Sequence, residues 1–132
     1  MKGFFANIER ATLQNADFRR VLYTGKHTQL VLMSLAPNEE IGLEVHEDND
    51  QFFRFETGKG AVTIDDTTYE IGDGDAIIVP AGAKHNVINL SDTDELNLYT
   101  LYSPPHHKDG IVRATKEAAD TQPEEFDGVT TE

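Results

Sequence analysis

Cysteine is absent from these 132 residues. Neither disulfides nor thiolate metal sites can form, and the redox compartment is left open. Cations are scarce: 11 Lys and Arg stand against 24 Asp and Glu, for a net charge of -13. Nucleic acid and anionic membrane surfaces both need a cationic face, so neither is an expected partner. The acidity reads as a solubility feature. No apolar run approaches the about 20 residues that cross a bilayer. The opening stretch, Met1 to Asn7, is too short in its apolar part for a secretory signal and meets Glu9 and Arg10 at once. A cytoplasmic location is the expectation. Internal repeats and low-complexity blocks are also missing.

What is present is a series of short strand-like runs with turn residues between them. Phe18 to Tyr23, His27 to Leu35, Ile41 to His46, Gln51 to Glu56, Ala61 to Ile64, Thr67 to Ile71, Ala76 to Val79 and Leu96 to Tyr102 all read as strands. Gln29 to Leu35 is almost continuously apolar, so it should be covered on both faces. Ile41 to His46 alternates, with Glu44 and His46 on one face and Leu43 and Val45 on the other. Gln51, Phe53 and Phe55 share a face, opposite Phe52, Arg54 and Glu56. A short helical turn is expected around Ile8 to Leu13, and another after Thr115. One domain results, an all-β sandwich or barrel. Its parts are an arm of strands over residues 1–29, a barrel core over 30–103, and an extension over 104–132. The extension ends in an acidic, apolar-poor segment expected to be mobile.

The most informative stretch runs from Gly74 to Asn89. The strand Ala76 to Val79 enters the turn Pro80-Ala81-Gly82, and His85 leads the next strand, on the same side as Val87 and Asn89. The spacing of Gly74, Pro80, Gly82, His85 and Asn89 resembles the second sequence motif of the cupin superfamily. The first cupin motif is present in altered form. Glu44-Val45-His46 stands where a His-x-His pair is usual, Gln51 holds the glutamate position, and Gly58 closes the motif. Asp50 to Arg54 and Tyr102 to Gly110 further resemble small uncharacterised cupins of a sugar isomerase-like subgroup. The resemblance implies a double-stranded β-helix, the jelly-roll cupin barrel, with short helical or irregular termini.

It also implies a metal site. Glu44 and His46, two apart on one strand, would meet Gln51 and His85 from neighbouring strands around one divalent ion. Such a donor set leaves zinc, manganese, iron and nickel open. The usual set of three histidines and one glutamate carries one negative charge, and so does this one, with the carboxylate moved to the first position. The four residue types resemble the zinc ligands of cupin-fold phosphomannose isomerases, with glutamine and glutamate exchanged. Asp50 is the alternative to Gln51 if the strand bulges there. Phe53, Phe55, Ile78 and Val87 are expected to line the pocket. Candidate catalytic residues are Glu44, Tyr99, whose hydroxyl would approach the ion, and His107. His106 and His107 follow Pro104-Pro105, at a surface turn or over the barrel mouth. No cationic clamp for a phosphosugar is evident, since Arg54 reads as outward and Lys84 sits beside the turn.

Three functions compete. A metalloenzyme would act on a small oxygen-rich molecule by dioxygenase-type or sugar isomerase-type chemistry. A non-catalytic cupin would bind or sense a small molecule or sugar. A structural role would rest on oligomerisation. A homodimer is expected from the doubly apolar Gln29 to Leu35 run, the outward Phe52 and the habit of similar cupins.

Overall fold

Wherever turn residues interrupt the apolar runs, the chain reverses, and ten strands and two short helices result. The computed structural model describes all 132 residues. The strands are β1 (Arg19–Thr24), β2 (Gln29–Leu35), β3 (Glu44–Val45), β4 (Asp50–Thr57), β5 (Gly60–Ile64), β6 (Thr67–Ile71), β7 (Ala76–Val79), β8 (Lys84–Asn89), β9 (Leu96–Ser103) and β10 (Val112–Arg113). Helix α1 (Ile8–Gln14) is capped by Asn7, whose Oδ1 accepts from the Arg10 amide, and α2 (Lys116–Thr121) is capped by Thr115.

The strands form two antiparallel sheets. One has six strands in the order β10-β1-β2-β9-β4-β7, and the other has four in the order β3-β8-β5-β6. Their inner faces meet as a jelly-roll barrel. Alternation along each strand decides what enters it. Val31, Met33, Phe53, Phe55, Val62, Val87, Leu96 and Leu98 are almost wholly buried there. Each such side chain contributes about 1.5–3 kcal/mol by leaving water. β2 is buried along nearly its whole length, as its apolar run requires.

Gly58 shows why the motif glycine is needed. Its φ is +115°, and an added Cβ would meet the Glu95 carbonyl oxygen at 2.8 Å. No other residue fits there without moving backbone.

Three expectations change. The strand expected over Ile41 to His46 shrinks to Glu44–Val45, because Gly42 takes a φ of +105° and its amide bonds the Asn86 side chain instead of a neighbouring strand. Its facing is as read, with Leu43 and Val45 turned to solvent. Ile78 does not line the interior. β7 is an edge strand, and Ile78 is 67% exposed, while Ile77 and Val79 turn inward. The segment after Thr121, read as a mobile tail, lies against the barrel. The Phe126 amide donates to the His106 carbonyl, and Thr131 and Thr24 exchange two hydrogen bonds at 2.8 and 2.9 Å. The edge of β1 offers backbone partners there, so the segment needs no apolar residues to lie down. No helix of the protein is long and apolar enough to cross a membrane.

Candidate metal centre

The turn before β8 sets the first candidate ligand. Gly82 adopts a φ of +87°, its amide donates to the His46 carbonyl at 2.9 Å, and the Ala83 amide closes the turn onto Pro80. Asp50 caps the same turn by accepting from the Ala81 amide at 2.9 Å. Its carboxylate is thereby committed outside the barrel and is no substitute for Gln51. His85 enters the barrel just beyond, 3% exposed. Its Nδ1 lies 3.2 Å from the Ala83 carbonyl oxygen. That contact fixes the Nδ1–H tautomer and leaves Nε2 as the free donor of electrons.

Register places the second candidate ligand. Glu44 on β3 stands directly across from His85 on β8. Its Oε2 is 2.8 Å from Nε2 of His46. The rings of His46 and His85 lie 5.2 Å apart, centre to centre. One ligand atom from each of Glu44, His46 and His85 falls within 4.8 Å of the other two. Burial alone would raise the Glu44 pKa, but the hydrogen bond and charge of His46, with Arg19 and His85 behind them, bring it below the ordinary value. Burial lowers the His85 pKa. The pair is therefore an ionised carboxylate beside a neutral imidazole, the forms that bind a cation.

Gln51 turns inward from β4 and is 2% exposed. Its Nε2 donates to Thr100 Oγ1 at 3.0 Å, while its Oε1 is buried with no partner. Nε2 of His46 is buried too, and it meets the Glu44 carboxylate at 2.8 Å. Buried polar atoms are nearly always satisfied, and an unmet amide oxygen beside an ionised carboxylate is what a cation would complete. The nitrogen and oxygen donors present thus fit a divalent ion.

A band of polar side chains crosses the six-stranded sheet at this end. Thr24, Gln29, Tyr102 and Gln51 are consecutive register partners on β1, β2, β9 and β4. Gln29 is fully buried. Its Nε2 donates to Thr24 Oγ1 and the His107 carbonyl, and its Oε1 accepts from the amides of His106 and His107. One side chain thus fixes the two-histidine turn. His106 comes to rest with its ring 4.3 Å from that of His46 and stacked on Tyr102. His107 is buried behind Tyr102, with Nε2 3.2 Å from the phenolic oxygen. Burial pushes His106 down to about 4 and His107 to about 2, and it raises Tyr102. Around neutrality, both histidines are uncharged and the phenol keeps its proton.

Tyr99 is not part of the centre. Leu96, Leu98, Thr100 and Tyr102 take the inner face of β9, so Tyr99 stands outside against Phe52. The tyrosine that reaches the site is Tyr102, and strand parity counted from Leu96 and Leu98 is the signal that finds it. Arg19 is a second residue absent from the sequence reading. It stands opposite Met33 in the register, on the inner face with Val21. Above the cluster lies a groove of about 300 Å³, lined by His46, Glu47, Asp48, Pro105, His106 and Phe126 among others. It leads from solvent to the His46 and His106 rings.

The chain matches the family model for the cupin domain over residues 31–102. It is 50% identical over 121 residues to the uncharacterised protein YrkC of Bacillus subtilis, covering 87% of this chain and 64% of that protein. It is 46% identical over 112 residues to the uncharacterised protein L612 of Acanthamoeba polyphaga mimivirus, covering 83% of this chain and 70% of the other. The crystal structure of BH2720 from Bacillus halodurans superposes with a TM-score of 0.88 at 43% identity, over 91% of this chain and 95% of that one.

Proposed function

This chain belongs to the cupin domain family, and from that premise we propose that it binds one divalent metal ion and acts on a small oxygen-rich molecule. His46, His85 and Glu44 would hold the ion, with the amide oxygen of Gln51 as fourth donor. The carrying observation is the convergence of the first three candidate ligand atoms within 4.8 Å beside the unpartnered Oε1 of Gln51. Zinc, manganese, iron and nickel all suit two imidazoles with oxygen donors. When bound, such an ion polarises a coordinated oxygen and eases loss of its proton.

The remaining chemistry comes from the chain. Glu44, held ionised, accepts a proton or neutralises the cation. His106, neutral and at the mouth, is placed to accept a proton from a hydroxyl entering along the groove. Tyr102 keeps its proton and is steadied by His107, so its hydroxyl serves as a hydrogen-bond donor rather than a base. His107 itself acts through Tyr102 as a positioning residue. The groove is lined mainly by polar and charged side chains, which favours a hydroxylated or carbonyl-rich ligand over an apolar one. Oxygenation of such a molecule and isomerisation of a sugar both use these groups.

Metal analysis tests the reading, on protein purified without chelators or a metal-binding tag. The expected result is one divalent ion per chain, lost in His85→Ala and reduced in Glu44→Gln. Full occupancy in both variants would remove Glu44 and His85 from the site.

A further inference from the structure

Residues 122–130 pass beside the groove above the cluster, and they are fastened mainly at their two ends. At one end Arg113 on β10 donates to the Gln122 carbonyl through Nε and a terminal nitrogen, at 3.1 and 3.0 Å. The same guanidinium stands 3.8 Å from the Glu124 carboxylate. At the other end Thr131 and Thr24 exchange their two hydrogen bonds, and the Thr131 hydroxyl donates to Asp109 at 2.8 Å. Between these anchors the Phe126 amide donates to the His106 carbonyl at 3.0 Å, and the Glu124 main chain meets the His107 ring. The Val129 amide turns back to the Asp127 side chain. No residue from Gln122 to Thr130 is buried, and only Phe126 and Thr130 are partly so. Glu125 and Phe126 nevertheless line the groove together with His46 and His106.

We propose that residues 122–130 are a movable strap that opens and closes the groove to Glu44, His46 and His85, with Phe126 as its latch. This step rests on the reading of that cluster as the functional centre. The groove, at about 300 Å³, is at the small end of ligand sites, and lifting Glu125 and Phe126 away enlarges it where a ligand first meets the histidine rings. The hold is light. A segment with few buried apolar contacts and solvent-exposed hydrogen bonds opens at the low end of local stability. Charge loosens it further. The strap carries Glu124, Glu125 and Asp127 and no Lys or Arg, and Glu125 shares the groove with Glu47 and Asp48. The histidine turn stays in place when the strap lifts, because Gln29 Oε1 accepts from the amides of His106 and His107. The strap takes only the His106 carbonyl. The entrance therefore changes while the rings inside keep their positions.

Two rates test this on wild type, Phe126→Ala and Val129→Ala. The first is carbethoxylation of His106 by diethyl pyrocarbonate in metal-stripped protein, read by mass spectrometry against the exposed His27. The second is uptake and release of zinc. Phe126→Ala should speed His106 modification about fivefold, and should speed zinc uptake and release by a like factor with the affinity unchanged, because a gate acts on entry and exit alike. Val129→Ala, in the same segment but away from the groove, should match wild type. An unchanged His106 rate in Phe126→Ala overturns the proposal. So does a loss of zinc affinity with uptake unchanged, which would make Phe126 a wall of the site. A gain as large in Val129→Ala also overturns it, since any loosening would then serve. A wild type that takes up no zinc overturns the metal reading alone, and the carbethoxylation rates then decide the strap. If Phe126→Ala melts far below wild type, amide exchange in wild type decides. A Phe126 amide that exchanges faster than the Thr131 amide sustains the strap, and equal protection overturns it.

Discussion

Two buried amides mark the two ends of the barrel, and they are treated differently. Asn89, 1% exposed at the closed end, donates through Nδ2 to the carbonyls of Leu35, Ala36 and Asp94, and its Oδ1 accepts from the Ser91 amide. Gln51, 2% exposed at the open end, uses its Nε2 and leaves Oε1 unmet. Around Asn89 stand Leu35 and Leu96. Around Gln51 stand Tyr102, Thr100 and the histidines. The barrel thus grades from an end that holds the fold, marked by Asn89 on the four-stranded sheet, to an end left open, marked by Gln51 on the six-stranded one. An unmet buried acceptor costs about 1–3 kcal/mol, which the closed end has to offset. Fold and function are separated along the strand axis, and substitutions at the two ends should fail in different ways.

The largest effect belongs to the closed end. Phe55 is wholly buried, and Phe55→Ala should cost about 3–5 kcal/mol of unfolding free energy. Chemical denaturation measures this, and the protein that remains folded should still carry its ion. Next comes the open end. His85→Ala should lose the ion, costing more in affinity than the about ten- to hundredfold of an outer-shell partner, while the metal-stripped variant unfolds close to wild type. Equal losses of stability from the two variants would erase the distinction between the ends.

Acid should strike the open end selectively. His107 is held far below its ordinary value of 6.5, near 2, chiefly by burial, and His106 near 4. In the unfolded chain both take up a proton below about 6.5, while in the folded chain neither does until those lower values. Stability is therefore complete above about 6.5 and falls as pH drops below it. The fall continues to about 4 for His106 and further for His107. Each contributes about 1.4 kcal/mol per pH unit at most. Metal-stripped His107→Asn should show a shallower slope between pH 6.5 and 5 in denaturant titrations. Parallel slopes would mean that His107 is solvated in the folded protein.

Much of this was readable in advance, and the failures have physical causes. The bounds of β6 and β7 follow from their turn residues, and the facing of β4 follows from the alternation of Gln51, Phe53 and Phe55. The altered first motif was legible because spacing survives when residue types change. Tyr99 was misplaced because β9 carries large apolar or aromatic residues on both faces, so polarity does not say which face is inside. Arg19 gave no local sign at all. A lone cation in a strand is ordinarily solvated, and only the register with Met33 and the face shared with Val21 turn it inward. Composition misses the docking of the last segment because two of its three hydrogen bonds to Thr24 and His106 run between backbone atoms and the third needs only the Thr131 hydroxyl.

The smallest effect should come from β7. Its run Ala76 to Val79 has no alternation, so sequence leaves the facing of Ile78 open, and the structure puts it outside. At 67% exposure it has little apolar area to lose. Its neighbour across the ladder is Phe52, also on the outer face. Thr keeps the β-branch that suits a strand while removing apolar surface. Ile78→Thr should then change unfolding free energy by no more than about 0.5 kcal/mol and leave metal content intact. Ile77→Thr, one residue away on the inward face, should cost clearly more, because Ile77 packs against the core. The pair isolates facing from position, since the two residues are neighbours on one strand with the same side chain. If Ile78→Thr were the costlier of the two, the register of β7 against β4 would be shifted by one residue, and Val79 would leave the interior with Ile77.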